Sequence, residues 1–226
     1  GVPLPPRQYS GSGDRAARRG GAAPIRDGAP TAAIVQHDEG CTVPACDGAP
    51  PIPYISPVHL YIHVPFCARR CTYCDFAIAV RRVVPTDDFV ETVVAEWRVW
   101  QTHPMWVAAP VIETVYFGGG TPSHIDPSGI ARILARIGAD RSIATGAEIT
   151  LEANPDDLTE SAAAAWSAAG INRVSLGVQS FEPAVLQWMH RTHTADQVPL
   201  AVDAIRAAGI GDLSLDLIFG LPAALG

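Results

Sequence analysis

Five short apolar runs, separated by longer stretches with helical periodicity, restrict this chain to an α/β fold. The runs occupy residues 59–64, 111–117, 148–153, 172–178 and 212–219. Strands that alternate with helices pair in parallel, because each helix carries the chain back to the end of the sheet where the previous strand began. The sequence therefore predicts a five-stranded parallel sheet, and the pattern is compatible with both a barrel and an open doubly wound sheet.

A repeated segment indicates that the same unit, a helix followed by a strand, occurs twice in the chain. The letters AAGI occur at 168–171 and again at 207–210, and each copy precedes one of the apolar runs. Glycine is common just after a helix, where the backbone turns to positive φ. We therefore expect a helix, a glycine and a strand in this order twice.

Short polar signals predict several helix ends. Thr86 and Asp126 each precede a periodic apolar stretch and are expected to cap a helix. Gly138 is the predicted end of the helix that begins after Asp126. Thr194 and Gln197 have the spacing of a capping box, in which the Gln side chain accepts from the backbone N–H of the capping residue.

The first 57 residues differ from the rest of the chain. They contain ten Pro and eight Gly without strand or helix periodicity, a composition typical of segments that bury too little apolar surface to fold. We expect a disordered leader at 1–57 and a core domain at 58–226. Cys41 and Cys46 lie in this leader, where two idle thiols are a simpler interpretation than a metal-binding pair.

The composition excludes several functional classes. The 226 residues are 48% hydrophobic and 17% charged, which is typical of a globular protein. All 16 basic residues are Arg, and with 23 acidic residues they leave a net charge of −7, which does not suit a nucleic-acid surface. No apolar run has the length of a membrane span, and the N-terminus lacks the apolar core of a signal peptide. We expect a cytoplasmic protein with reduced thiols.

Three cysteines follow the first apolar run in a C-x3-C-x2-C spacing, at Cys67, Cys71 and Cys74. Three thiolates this close can each ligate one iron of a cubane iron–sulfur cluster, which leaves the fourth iron free for another ligand. A zinc site completed by His59 or His63 is the alternative, but both histidines lie outside the usual spacings of structural zinc ligands. The motif therefore favours the cluster.

Glycines and polar side chains stand at the ends of the other predicted strands. They are the segment GGGT at 118–121, Glu152 with Asn154, Gln179 and Asp216. The carboxyl ends of parallel strands meet at one edge of a sheet, where ligands bind. Together with the cysteine loop, these residues are expected to open onto one site.

Each of these residues also has a plainer interpretation. A glycine run is often only a turn, and Gln179 can tie a loop to the backbone. Glu152 and Asp216 lie in mostly apolar runs, where an unpaired carboxylate is costly, so a buried ion pair with Arg173 or Arg191 is the alternative to a ligand contact.

Five motifs together carry a resemblance to a known family. They are YIHVPFCARRCTYCDF at 61–76, YFGGGTPS at 116–123, LEANPDDLT at 151–159, INRVSLGVQSF at 171–181 and LIFGLP at 217–222. In this order they resemble the oxygen-independent coproporphyrinogen III oxidase family, which includes the radical S-adenosylmethionine (SAM) haem chaperones. The resemblance implies a partial six-stranded βα barrel, and this chain is then expected to be truncated after the fifth strand.

The resemblance also implies the cofactors and their ligands. Cys67, Cys71 and Cys74 are implied to hold a [4Fe–4S] cluster, whose free iron chelates the amino and carboxylate groups of SAM. Electron transfer then cleaves SAM to a 5′-deoxyadenosyl radical. The implied SAM contacts are Tyr61, Tyr73, Gly119, Gly120, Thr121, Glu152, Gln179, Arg191 and Asp216.

Phe76 separates two functions within this family. The oxidase branch has a fourth cysteine two residues after the third, at the position that Phe76 occupies here. The first hypothesis is therefore a haem chaperone that binds haem and transfers it to acceptor proteins. The second is an oxidase that decarboxylates coproporphyrinogen III, and a zinc-binding module without SAM chemistry is a third.

The resemblance implies partners as well. They are haem or a porphyrin, a haem-acceptor protein, and an electron donor such as a flavodoxin or a ferredoxin. Arg69 and Arg70 lie inside the cysteine loop. Their side chains either face solvent or contact an acidic surface of the donor.

Overall fold

The computed structural model describes residues 59–103, 106 and 111–221, together with the backbone of 34–35. The strands are β1 (Ile34–Val35), β2 (His59–Val64), β3 (Phe66–Cys67), β4 (Ala79–Val80), β5 (Ile112–Gly119), β6 (Ile143–Ala153), β7 (Arg173–Gln179) and β8 (Asp212–Leu217). The helices are α1 (Thr86–Trp100), α2 (Pro127–Asp140), α3 (Glu160–Ala168), α4 (Pro183–Trp188) and α5 (Gln197–Ala207).

The main sheet has the strand order β1-β2-β5-β6-β7-β8. The five strands from β2 to β8 are all parallel to their neighbours, as the alternation of apolar runs and helices predicts. Each new parallel strand is added at the same edge, and the order never reverses. A doubly wound sheet reverses its order, so the structure confirms the partial-barrel arrangement rather than the open alternative.

Strand β6 is longer than the sequence pattern predicts. It begins at Ile143 rather than at residue 148. Its first part contains Gly146 at φ 84°, and the pairing of β5 with β6 shifts register between Ile112 and Thr114. An irregular strand of this kind has no clean alternation of apolar and polar residues, so its first part escaped the sequence analysis.

Strand β1 lies within the N-terminal segment of the chain. Ile34 and Val35 pair in antiparallel fashion with Ile62 and Tyr61 at the outer edge of β2. The rest of residues 1–57, with Cys41 and Cys46, lies outside the described residues, so the expectation of a disordered leader stays a prediction there.

The helices bury one apolar face each against the sheet. On α1 the buried side chains include Val93 and Trp97, and the Trp97 ring meets the ring of Trp106 edge-on at 5.5 Å. On α2 the isoleucines 130, 133 and 137 are buried. Burial of such large apolar side chains stabilises the fold by roughly 1.5–3 kcal/mol each.

The predicted cap at Asp126 is confirmed, the Thr194–Gln197 capping box is confirmed in one of its two hydrogen bonds although the helix begins only at Gln197, and the other two predicted helix ends are wrong. The Asp126 carboxylate accepts from Ser128 N–H at 2.9 Å, and the Gln197 side chain accepts from Thr194 N–H at 2.7 Å. Thr86 does not cap α1, because its hydroxyl accepts from Asp126 N–H instead. The helix that begins after Asp126 continues through Gly138 to Asp140.

The repeated helix–glycine–strand unit is confirmed. Helices α3 and α5 are each followed by a glycine with positive φ, at 105° for Gly170 and 79° for Gly209. In both copies the next residue donates back to the carbonyl of the last turn, from Ile171 and Ile210. The same local hydrogen bonds therefore set the direction of β7 and β8.

No helix among the described residues is both long and apolar enough to cross a membrane.

Candidate functional site

A cavity of about 310 Å³ lies at the carboxyl ends of the parallel strands, within the size range of small-molecule sites. The strand-end pattern predicts this position. All the predicted site residues except Tyr61 and Gly118 line the cavity: Cys67, Cys71, Tyr73, Cys74, Gly119, Gly120, Thr121, Glu152, Asn154, Gln179, Arg191 and Asp216.

The three cysteines stand on one loop at the mouth of this cavity. Cys67 ends β3 and is buried, whereas Cys71 and Cys74 are half-buried. The Thr121 hydroxyl donates to Cys67 Sγ at 3.4 Å. Burial is the main cause that raises the pKa of Cys67, and the neighbouring sulfurs of Cys74 and Cys71 raise it further, whereas the hydrogen bond from Thr121 lowers it.

The loop is anchored at both ends by its neighbours. The Thr72 hydroxyl donates to the carbonyl of Trp188 at 2.7 Å, which ties the loop to the end of α4. On the other side, His63 Nε2 lies 3.2 Å from the carbonyl of Ala77 and donates to it. The cysteine loop is therefore held by a residue 116 positions away and by a histidine of the preceding strand.

The two histidines of the zinc alternative have other partners. His59 Nδ1 bonds to the Thr114 hydroxyl at 2.9 Å, and His63 holds the cysteine loop as described. Among the described residues, no three His, Cys, Asp or Glu side chains converge on a point that could hold a single metal ion. A cubane cluster has a different requirement, since each thiolate binds its own iron.

The glycine run passes directly under the cysteine loop. Gly120 N–H donates to the carbonyl of Val64 at 2.7 Å, and Thr121 N–H donates to that of Phe66 at 2.7 Å. Gly119 has φ 116°, a conformation that favours glycine, and its N–H donates to Glu152 at 2.9 Å. The run is therefore part of the site and more than a simple turn.

Neither Glu152 nor Asp216 forms the ion pair considered above. Glu152 accepts from the Tyr116 hydroxyl at 2.8 Å and from the glycine run. Asp216 accepts from the Ser175 hydroxyl at 2.9 Å. Arg173 pairs with Glu148 instead, at 3.4 Å.

Arg191 connects the cysteine loop with the ends of two strands. Its Nη2 donates to Asn154 Oδ1 at 2.5 Å and to the carbonyl of Gly177 at 2.7 Å. Its Nη1 lies 4.0 Å from Cys71 Sγ. Its Nε is buried without a hydrogen-bond partner among the described residues.

Of the remaining predicted residues, Tyr73 and Gln179 line the cavity, whereas Tyr61 does not. Burial raises the pKa of Tyr73 to about 12. Gln179 has φ 64°, which is unusual for a residue other than glycine. Tyr61 lies below the cavity, where its ring stacks on that of Tyr116 at 5.8 Å, and burial, with a smaller effect of Glu152, raises its pKa to about 12.

The sequence analysis missed Tyr116 and Ser175, and it considered His63 only as a zinc ligand. Tyr116 stands two residues before Gly118 on β5, so strand alternation turns both toward the inside of the barrel. Its neighbours Val115 and Phe117 are fully buried on the other side. A polar residue that alternates with buried apolar ones was the signal that could have identified Tyr116.

The family profile of the radical SAM superfamily matches residues 61–223. This chain belongs to the radical SAM superfamily. The superfamily uses a [4Fe–4S] cluster together with SAM. The residues of the cavity fit this pair of cofactors, because three free thiols, two glycines without side chains and the charged Arg191 side chain line the same space.

Two of the curated relatives carry different functional names. The haem chaperone HemW of Lactococcus lactis is 36% identical over 166 residues, which are 74% of this chain and 42% of that protein. The oxygen-independent coproporphyrinogen III oxidase of Bradyrhizobium diazoefficiens is 36% identical over 168 residues, which are 72% of this chain and 36% of that protein. The chain spans about two fifths of the length of these relatives.

A solved structure shares the fold. Coproporphyrinogen III oxidase of Escherichia coli, described as a radical SAM enzyme, matches with a TM-score of 0.63 and 27% identity. The match covers 72% of this chain and 37% of that protein. The α/β architecture expected from the sequence is therefore confirmed.

Proposed function

We propose that this protein holds a [4Fe–4S] cluster through Cys67, Cys71 and Cys74 and binds SAM in the adjoining cavity. The observation that supports this most strongly is the position of the three thiols beside the glycine run and two carboxylates, on one side of a parallel sheet. The cluster and SAM would supply one-electron chemistry when bound.

The surrounding residues would bind and orient SAM. The backbone of Gly119 and Gly120 allows close approach, because neither residue has a Cβ. Glu152 and Asp216 carry the negative charge that suits the ammonium and sulfonium groups of SAM. The positively charged Arg191 side chain, which lines the cavity, suits the carboxylate of SAM.

Within this framework we propose a haem chaperone that binds haem and transfers it to acceptor proteins. Relatives named haem chaperones, at 34–39% identity, support this function. Phe76, which replaces the fourth cysteine of the oxidase branch, also supports it. Phe76 is 62% exposed and lines the cavity, so its position is not explained by core packing.

The oxidase is the second candidate, because one curated relative and the E. coli structure carry that name. An electron donor such as a flavodoxin or a ferredoxin is part of either proposal. The exposed Arg69 and Arg70 suit its acidic surface. The reduced thiols suit a cytoplasmic location.

Anaerobic reconstitution tests the cofactors. The purified protein should take up about four irons per chain, as a cubane cluster requires. Cys71→Ala should abolish this uptake, whereas Cys41→Ala, outside the motif, should not. Stoichiometric zinc without iron would support the zinc module instead.

Two activity assays separate the candidate functions. The reconstituted protein should bind haem, seen by absorbance, and should not convert coproporphyrinogen III with SAM and a reductant. We expect Phe76→Cys to remain inactive in the second assay as well. Turnover by the unmodified protein would favour the oxidase.

A further inference from the structure

Glu152 and Asp216, two of the carboxylates that line the cavity, are each held by a hydroxyl from the preceding strand of the sheet. Tyr116 on β5 donates to Glu152 on β6 at 2.8 Å. The Ser175 hydroxyl on β7 lies 2.9 Å from both carboxylate oxygens of Asp216 on β8 and donates to them. The same arrangement therefore occurs twice around the sheet, and in both cases the hydroxyl belongs to a residue without an assigned role.

We propose that Tyr116 is a positioning residue of the SAM site, which acts by fixing the Glu152 carboxylate in the orientation that meets the cationic groups of SAM. This inference rests on the proposed function, since it takes SAM as the ligand of the cavity. It adds a residue to the site that neither the cysteine motif nor the glycine run contains.

The ring of Tyr116 is held independently of Glu152. It stacks on the ring of Tyr61, with centroids 5.8 Å apart and planes 19° from parallel. A Cβ at Gly118 would lie 2.7 Å from Tyr116 Cε1 and 2.8 Å from Tyr61 Cε2. The absence of a side chain at Gly118 thus makes room for both rings, and the stack sets the position of the Tyr116 hydroxyl.

The hydroxyl of Tyr116 is a permanent donor. Burial first, and then the charge of Glu152, raise the pKa of Tyr116 well above its ordinary range. The phenol therefore keeps its single proton at physiological pH, and that proton is directed to Glu152.

Both oxygens of Glu152 are held at once. Oε1 accepts from Tyr116 at 2.8 Å, and Oε2 accepts from Gly119 N–H at 2.9 Å. Two bonds from two directions prevent rotation of the carboxylate. A carboxylate has about four acceptor positions, so it can still accept from a ligand.

The test removes only the hydroxyl. Tyr116→Phe keeps the ring stack, and SAM is titrated into the anaerobically reconstituted protein. We expect roughly tenfold weaker SAM binding, because a hydrogen bond to a charged group is lost. Iron content and melting temperature should stay close to those of the unmodified protein.

Thr150→Val is the matched control. Thr150 is fully buried on β6, two residues before Glu152 on the same side of the strand, and its hydroxyl donates to Glu148 at 2.9 Å. The change removes a buried hydroxyl without touching Glu152. We therefore expect unchanged SAM affinity, whatever the change does to stability.

A double-mutant cycle distinguishes positioning from a general structural effect. If Tyr116 acts through Glu152, then Tyr116→Phe should have little further effect on SAM affinity in a Glu152→Gln background. A full effect in that background overturns the inference, as does unchanged affinity of Tyr116→Phe alone. Failure of the iron-loaded unmodified protein to bind SAM overturns the proposed function and the inference together.

Discussion

At Gly120 the backbone passes so close to the cysteine loop that a side chain does not fit. A Cβ at this position would lie 2.7 Å from the carbonyl oxygen of Phe66, 2.8 Å from that of Val64 and 3.0 Å from Cys67 Sγ. Two of these atoms belong to the backbone, which cannot turn away as a flexible side chain can. The glycine is therefore required by the position of the first cysteine.

The first prediction concerns this contact. Gly120→Ala should displace Cys67, so reconstituted protein should contain well under half of the normal iron. Overpacking of this kind costs about 1–3 kcal/mol of unfolding free energy, which a denaturant melt measures. Gly211→Ala is the control, because no heavy atom lies within 4 Å of a Cβ there. Full iron uptake by Gly120→Ala would contradict the prediction.

Among the elements, the two loops that follow β5 and β6 are joined through one carboxylate. Asp157 accepts from the Ser123 hydroxyl at 2.7 Å and from Asn154 Nδ2 at 3.4 Å, and it pairs with His124 Nε2 at 2.9 Å. Ser123 and His124 follow the glycine run, whereas Asn154 and Asp157 follow Glu152. The cluster of hydrogen bonds therefore fixes the relative position of two cavity-lining segments.

The second prediction follows from the charge of His124. Its hydrogen bond to Asp157 raises the pKa of His124 despite partial burial. Because the pKa of His124 is raised in the folded state, the ion pair contributes fully to stability at pH values below the pKa of unfolded His, about 6.5. This contribution is lost as the pH rises through the pKa of the folded state.

His124→Asn should therefore destabilise the protein more at pH 6 than at pH 9. A loss of about 1 kcal/mol at pH 6 lowers the melting temperature by roughly 2–4 °C in a domain of this size. His59→Asn on β2 is the control, because His59 is exposed and bonds to a hydroxyl. An equal loss at both pH values would show that the charge of His124 does not contribute.

For the molecule as a whole, the outer side of β8 is the least covered part of the described sheet. Leu215 is 42% exposed, Leu217 56% and Phe219 94%. Strand order places β8 at one edge of the sheet, with β7 as its only neighbour among the described residues. An exposed edge with apolar side chains promotes association between chains.

The third prediction is that this chain self-associates through β8. The double change Leu217→Glu and Phe219→Glu should reduce the fraction of large species in light scattering several-fold, because like charges oppose edge-to-edge pairing. Val99→Glu with Leu200→Glu is the control, since both residues are exposed on helices and the added charge is the same. Equal improvement by both variants would assign the effect to net charge alone.

The prediction of the fold succeeded where the information was local. Strand β7 and helix α5 lie within two residues of the expected bounds, because a period of two or of 3.6 is visible in a short window. Strand β1 and the first part of β6 were missed, since a two-residue strand and an irregular strand have no such period.

The sequence by itself determined the parallel α/β sheet, the C-x3-C-x2-C loop and the edge at which the site lies. These follow from periodicity, motif spacing and the rule that parallel strands end together. Only the tertiary structure decided that Glu152 is held by Tyr116, 36 residues away, and that Arg191 reaches Cys71, 120 residues away. Such partners depend on strand register and on the direction of each side chain. Both are set only when the strands pair and the helices pack against the sheet.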